Sequence, residues 1–208
     1  MVKPTVKPHV IAHRGWSKRF PENSMPAFSA ATSAGADELE FDVRVSKDGV
    51  PFVIHDATID RTTDGTGIVS ELTALELRQV NLKGVDGEVL VGLRIPTLQE
   101  VLASFYGHVG LNVHIKGMDD RRTPLHLLTS LALDAKHHFY VAGDKEVLEA
   151  ALEICPHIPR CLIQARKDKS EYLFKTASAL LCERIQFFKG YYDISDLQAC
   201  LEQGIIPN

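Results

Sequence analysis

The chain has 208 residues, 45% of them hydrophobic and 24% charged, with a formal net charge of −4. That length and apolar content suffice for a single domain spanning 1–208 with a substantial core, and the mild acidity leaves no basic footprint for nucleic acid. No apolar run reaches membrane-spanning length, so no stable membrane insertion is expected; the first nine residues carry prolines and lysines but no apolar h-region, which predicts no signal peptide and a cytoplasmic location.

In chain order, short apolar runs predict strands over 9–13, 38–45, 111–115, 139–142, 160–164 and 185–188. Apolar residues spaced i, i+3/i+4 predict helices over 25–34, 97–106, 124–135, 145–154, 170–182 and 195–203. Such strand–helix alternation argues a parallel sheet and most economically a (β/α) barrel. Lys47-Asp48-Gly49 between two apolar runs is a tight-turn signal, and the resulting hairpin folds His55 back toward the 38–45 strand. The stretch 57–92, rich in Thr, Asp and Gly, is too long for an ordinary loop and reads as a lid or inserted subdomain. Ile205-Ile206-Pro207-Asn208 resembles the start of a seventh strand. A closed barrel takes about 250 residues and eight strands, so roughly one and a half βα units are expected to be absent, either cut away or supplied by another molecule. Self-association into a homo-oligomer stays open. The cysteines Cys155, Cys161, Cys182 and Cys200 have no metal-ligand spacing and sit in apolar contexts, as reduced core residues do.

The chemistry is concentrated where polar residues interrupt the apolar strands. The sequence reads Val10-Ile11-Ala12-His13-Arg14-Gly15, Leu39-Glu40-Phe41-Asp42-Val43 and Phe52-Val53-Ile54-His55-Asp56. Side chains two apart on a strand share a face, so Glu40 and Asp42 converge while Leu39, Phe41 and Val43 turn the other way. Adjacent buried carboxylates repel, and a hard divalent cation is the common remedy. With two histidines and an arginine nearby, the pattern points to a metal ion and a phosphate. A phosphodiester needs charge neutralisation from a metal and cations such as Arg14 and Lys116. It also needs a base for the nucleophile and an acid for the leaving alkoxide, roles that two histidines can share.

The motifs His13-Arg14-Gly15, Pro21-Glu22-Asn23-Ser24 with Ala27-Phe28, Glu40-Phe41-Asp42-Val43, Lys47-Asp48-Gly49, His55-Asp56, Asp60 to Gly67 and Ile95 to Leu102 are together similar, and in the same order, to those of the glycerophosphodiester phosphodiesterase family. The resemblance covers roughly the first 116 residues. It implies a TIM barrel with an insertion after the second strand and metal-dependent hydrolysis of a glycerophosphodiester to an alcohol and glycerol 3-phosphate. It also implies His13 and His55 as the acid–base pair, Glu40 and Asp42 as metal ligands, Arg14 as the phosphate contact and Glu22 as a further site residue.

One position departs from the family pattern of Glu-Ile-Lys on the third strand: here it is His114-Ile115-Lys116. Histidine is a competent ligand but neutral and less hard, so the expected ion moves from Mg²⁺ or Ca²⁺ toward Mn²⁺ or Zn²⁺. Trp16 is placed to wall the substrate pocket or to pack on the insertion, and Tyr191 and Tyr192 to line a leaving-group pocket. His9, His108, His126, His137, His138 and His157 lack partner spacing and read as surface or helix-end residues. Two further functions compete: a phospholipase D-like lyase acting on sphingomyelin or lysophospholipid, and a non-catalytic degenerate barrel.

Overall fold

The computed structural model describes residues 9–117, 122–129, 131, 138–165, 169–188 and 190–208. Its elements are β1 (Ile11–His13), α1 (Met25–Ser33), β2 (Glu38–Val45), β3 (Pro51–Val53), a 3-10 turn (Val69–Glu71), α2 (Ala74–Leu77), α3 (Leu98–Phe105), β4 (Gly110–Ile115), α4 (Thr123–Leu128), β5 (Phe139–Gly143), α5 (Lys145–Ile154), β6 (Arg160–Ile163), α6 (Ser170–Ala179), β7 (Arg184–Gln186), α7 (Ile194–Glu202) and β8 (Ile206–Pro207). The strands form a curled half-barrel in the order β1-β2-β4-β5-β6-β7-β8, every neighbouring pair parallel. β3 runs antiparallel, against β2, with Val43 opposite Val53 and Val45 opposite Pro51. The C-terminal residues do form a seventh parallel strand, through Arg184 opposite Ile206.

Strand β2 carries two faces of opposite character. Leu39, Phe41 and Val43 are fully buried against the helices, with the Phe41 ring 5.6 Å from Phe28 of α1, which in turn meets Phe105 of α3 at 5.9 Å. Burying each of these rings stabilises the fold by about 2–3 kcal/mol. Glu38, Glu40 and Asp42, alternating with them, are equally buried but face the barrel interior.

Helix ends fall where side chains cap them. Thr97 accepts a hydrogen bond from the Glu100 N–H while Glu100 reaches back to Thr97, so α3 begins at Leu98. Asp193 and Asp196 do the same for α7. Helix α6 stops at Ala179, short of Cys182, because Leu181 turns left-handed at φ +52°. The predicted helix over 124–135 is present as Thr123–Leu128; its residues 130 and 132–135 lie outside the described residues. The β2–β3 hairpin turns through Gly49 at φ +90°, with Ser46 Oγ donating to Asp48.

Between β3 and α3 the chain builds a small lobe with its own core of Phe52, Ile54, Ile59, Val69, Leu77, Leu82 and Ile95. Its apolar centre reaches back into β3, beyond the 57–92 stretch singled out by composition.

The turn after β1 is tight. Arg14 and Gly15 both have positive φ, at +59° and +77°. A Cβ on Gly15 would lie 2.8 Å from the Ala27 carbonyl carbon, whose oxygen accepts the Trp16 N–H at 3.0 Å. We therefore expect Gly15→Ala to cost at least about 2 kcal/mol, from backbone strain plus displacement of α1. Gly35→Ala, at φ +86° but with open space around it, should cost only about 1 kcal/mol. Chemical denaturation of both variants checks the contrast; equal losses would show that the Ala27 contact is unimportant.

Candidate active site

The C-terminal ends of the strands gather the polar residues. Glu40 and Asp42 on β2 are almost completely buried, 3% and 1% exposed, so each needs compensation within the protein. Parallel register puts His114 of β4 opposite Asp42, and its Nδ1 lies 3.3 Å from Asp42 Oδ1 and 3.8 Å from Glu40 Oε1. Lys116 Nζ is 3.5 Å from the same Asp42 oxygen. The other oxygen accepts from Asn23 Nδ2 at 3.0 Å, while Asn23 Oδ1 accepts the Asp42 backbone N–H at 3.3 Å. Burial pushes the Asp42 carboxyl upward, but hydrogen bonds from His114 and Asn23 and the nearby positive charges overcome it and hold the group far below the usual range. His114 moves the opposite way: burial disfavours its proton, yet Asp42 and Glu40 outweigh burial and raise its pKa.

Arg14 enters from the loop after β1. Its backbone N–H donates to the Glu40 carbonyl at 2.8 Å and faces Glu40 Oε2 at 3.1 Å. Its Nη1 donates to Glu22 at 3.0 Å, whereas its buried Nε, 3.3 Å from Asp42 Oδ2, makes no hydrogen bond among the described residues. Asn112 Oδ1, on the same face of β4 as His114 and opposite Glu40 in register, is likewise a buried acceptor without a donor among the described residues. Leaving such groups unmade costs about 1–3 kcal/mol each, a cost that an incoming ligand can relieve.

A chain of ion pairs ties the lobe to this centre. His55 Nδ1 meets Asp56 Oδ1 at 2.6 Å, Asp56 Oδ2 accepts Arg61 Nε at 2.5 Å, and Arg61 forks onto both oxygens of Glu22 at 2.8 Å each. The hairpin fixes His55 against β2, since Ile54 N–H donates to the Asp42 carbonyl and Arg44 Nε to the His55 carbonyl at 2.7 Å. Arg61 draws the Asp56 carboxyl down to about 2. For Glu22, burial raises the pKa but Arg61 and Arg14 together lower it on balance. A cleft of about 440 Å³ opens alongside, lined by Ser17, Lys18, Glu22, Arg61, Thr62 and Lys83 among others.

The donor set suits a divalent ion. One ligand atom each from Glu40, Asp42 and His114 lies within 4.8 Å of the other two, beside the orphaned Asn112 oxygen. The description of the glycerophosphoryl diester phosphodiesterase family matches residues 13–154, more than half of the chain. The chain belongs to that family.

A glycerophosphodiester phosphodiesterase from Caldanaerobacter subterraneus is 50% identical over 96 residues, 46% of this chain and 40% of that protein. The Bacillus subtilis protein YqiK is 31% identical over 170 residues, 74% of this chain and 65% of its own length. Against the first curated relatives the matched part covers 33–45% of their length, so the chain spans less than half of each. A phosphodiesterase from Oleispira antarctica, solved with the product sn-glycerol-3-phosphate, superposes with a TM-score of 0.84 at 25% identity, over 96% of this chain and 83% of that one. An Agrobacterium tumefaciens glycerophosphodiester phosphodiesterase gives a TM-score of 0.78 at 26% identity, covering 97% of this chain and 86% of that one.

Within this phosphodiesterase-family fold the residues singled out from sequence do not all lie equally close. Glu40, Asp42, His114, Lys116, Arg14 and Glu22 form one connected cluster. His13 stands at its exposed rim, Nε2 being 3.9 Å from Glu40 Oε2. His55 pairs with Asp56, and through Asp56 and Arg61 it connects to Glu22. Trp16 is 39% exposed with the Arg19 guanidinium 5.4 Å above its ring, and Tyr192 packs on Phe187 at 5.4 Å. Asn23, Arg44, Asp56, Arg61 and Asn112 join the site without having been picked out. Asn112 carried a signal, since it alternates with His114 on one strand. His9 and His138 are exposed, as expected of surface residues, and both lie beside the buried Glu38, because parallel pairing brings together strand entrances far apart in the chain.

The Asp56 shift has a stability consequence. A carboxyl depressed from 3.8 to about 2 stabilises the fold fully above its unfolded value and loses that contribution as pH falls through about 2. Its partial exposure screens the effect to about 1 kcal/mol. Arg61→Gln should therefore melt below wild type at pH 6, and the gap should close as pH approaches 2. A gap independent of pH in thermal melts would separate Arg61 from Asp56.

Proposed function

We propose that this chain is a metal-dependent phosphodiesterase that cleaves glycerophosphodiesters to an alcohol and glycerol 3-phosphate. The observation that carries the reading is the joining of two buried carboxylates and an imidazole to Arg14, Lys116 and two flanking histidines at one mouth of the barrel. The product bound to the Oleispira antarctica relative supports the same substrate class.

Glu40, Asp42 and His114 would hold the ion, which when bound offsets charge on the phosphate oxygens and makes phosphorus more electrophilic. Arg14, whose Nε faces Asp42 without a hydrogen bond among the described residues, and the Lys116 ammonium bind the phosphate. Asp56 is ionised at neutral pH and accepts from His55, so the His55 proton sits on Nδ1 and Nε2 keeps its lone pair. That nitrogen takes the proton of the attacking hydroxyl: water yields glycerol 3-phosphate directly, whereas the glycerol 2-hydroxyl yields a cyclic phosphate that a water molecule then opens to glycerol 3-phosphate. As the new P–O bond forms and the ester P–O bond breaks, His13 at the rim gives a proton to the departing alkoxide. Glu22 orients Arg14, and Trp16 contributes a wall of the pocket on the lobe side. The site is proposed to act in a cytoplasmic protein on a small-molecule substrate.

His13→Ala and His55→Ala should each lower turnover by at least about 100-fold, the usual size of a lost acid–base group. Glycerol 3-phosphate release, with and without added Mg²⁺, Ca²⁺, Mn²⁺ or Zn²⁺, tests the whole reading, and release unaffected by a chelator would defeat it. His114→Glu adds charge where a hard cation wants it and should tighten Mg²⁺ and Ca²⁺ binding measured by calorimetry. If instead KM rises and metal affinity does not change, His114 contacts the phosphate and not the ion.

A further inference from the structure

The N-terminal mouth of the barrel, at the other end of the strands from the phosphodiesterase centre, holds a second set of metal-ligating side chains. His9 precedes β1, Glu38 opens β2 and His138 precedes β5, and one ligand atom of each lies within 4.8 Å of the other two. We propose that His9, Glu38 and His138 bind a transition-metal dication of the Zn²⁺ type, clamping together the entrances of β1, β2 and β5.

Glu38 is fully buried, so its charge has to be met inside the protein. Its Oε2 accepts from the Tyr140 hydroxyl at 2.7 Å, so this oxygen is already held within the protein. Asn208 Nδ2 donates to the same hydroxyl at 3.0 Å and so sets its direction. Oε1 is different. It faces His9 Nε2 at 2.8 Å, while Arg184 Nη2 stands 3.7 Å off, beyond hydrogen-bond distance. One carboxylate oxygen is thus held from behind by its partner's hydrogen bonds and presented to the imidazoles, the arrangement by which outer groups orient a metal ligand.

The backbone makes room for this. A Cβ at Gly110 would come within 2.5 Å of Glu38 Cγ, 2.8 Å of the Asp37 carbonyl oxygen and 3.2 Å of the His138 carbonyl oxygen. Only a residue without a side chain lets β4 pass between the Glu38 and His138 segments. The two imidazoles approach edge to face, with centroids 5.3 Å apart and planes at 80°, a disposition in which both can turn a nitrogen toward Glu38.

Two neutral nitrogens and one carboxylate, with the Arg184 cation nearby, suit Zn²⁺ and disfavour Ca²⁺ or Mg²⁺, which seek more oxygen ligands and charge. The N-terminal face of a barrel serves stability rather than chemistry, so the ion would staple the strands and leave the phosphodiester reaction alone. This site does not depend on the function proposed above.

Equilibrium dialysis of the full chain against Zn²⁺ alone, with elemental analysis, tests it in wild type, His9→Gln and His138→Gln. The His9 side chain is 41% exposed, so its replacement should leave the apo fold intact, which melting in chelator verifies. Each variant is expected to bind one zinc equivalent fewer than wild type. The rise in melting temperature that this equivalent gives wild type should shrink correspondingly. A zinc stoichiometry unchanged in either variant overturns the site and leaves His9 as a hydrogen-bond partner of Glu38 only. Loss of zinc in both, with chelated melts like wild type, establishes it.

Discussion

Three carboxylates stacked along the inner face of β2 set the terms for the rest of the molecule. Glu38, Glu40 and Asp42 alternate with Leu39, Phe41 and Val43, so the residues that anchor the helices also commit three negative charges to the barrel interior. An unpaired buried charge costs several kcal/mol, which the helix-side packing could not absorb more than once. Much of the neighbouring structure answers that demand: Tyr140 and Arg184 at the lower end, Asn23, Arg14, His114 and Lys116 at the upper.

The two ends answer it differently. Around Glu38 the polar atoms form a closed set of hydrogen bonds through Tyr140 and Asn208, with one oxygen turned to histidine. Around Asp42 the set is open: the Arg14 Nε and the Asn112 carbonyl oxygen are buried and unmatched. Unmatched buried groups belong where a ligand completes them. The strained Arg14-Gly15 turn fits the same logic, because left-handed backbone there lets one arginine brace Glu40 through its N–H and reach Glu22 through its guanidinium.

Much of this was readable from sequence because it depends on local period. The convergence of Glu40 and Asp42 follows from a repeat of two, the return of His55 from a Lys-Asp-Gly turn, and the β/α order from helical spacing between apolar runs. What escaped depends on register between distant segments. Nothing near His9 or His138 in the chain announces Glu38, and only the parallel sheet brings the three entrances together. Asp56 and Arg61 lie in a loop without periodicity, so the bridge that Arg61 makes between Asp56 and Glu22 had no periodic pattern to betray it. The strand ends shifted for a simpler reason: Val10 spends its N–H on Asp37 rather than in the ladder, so β1 begins later than its apolar run.

Arg61 shows why charge alone does not describe the seating of the lobe. It uses three nitrogens, the Nε toward Asp56 and two terminal groups toward Glu22, in one rigid plane. A lysine would bring the same charge as a single point, able to sit on one carboxylate or the other but not to hold both at a fixed angle. The link from Asp56 to Glu22 therefore depends on the flat shape of one guanidinium, and a substitution that conserves every charge in the site would still break it.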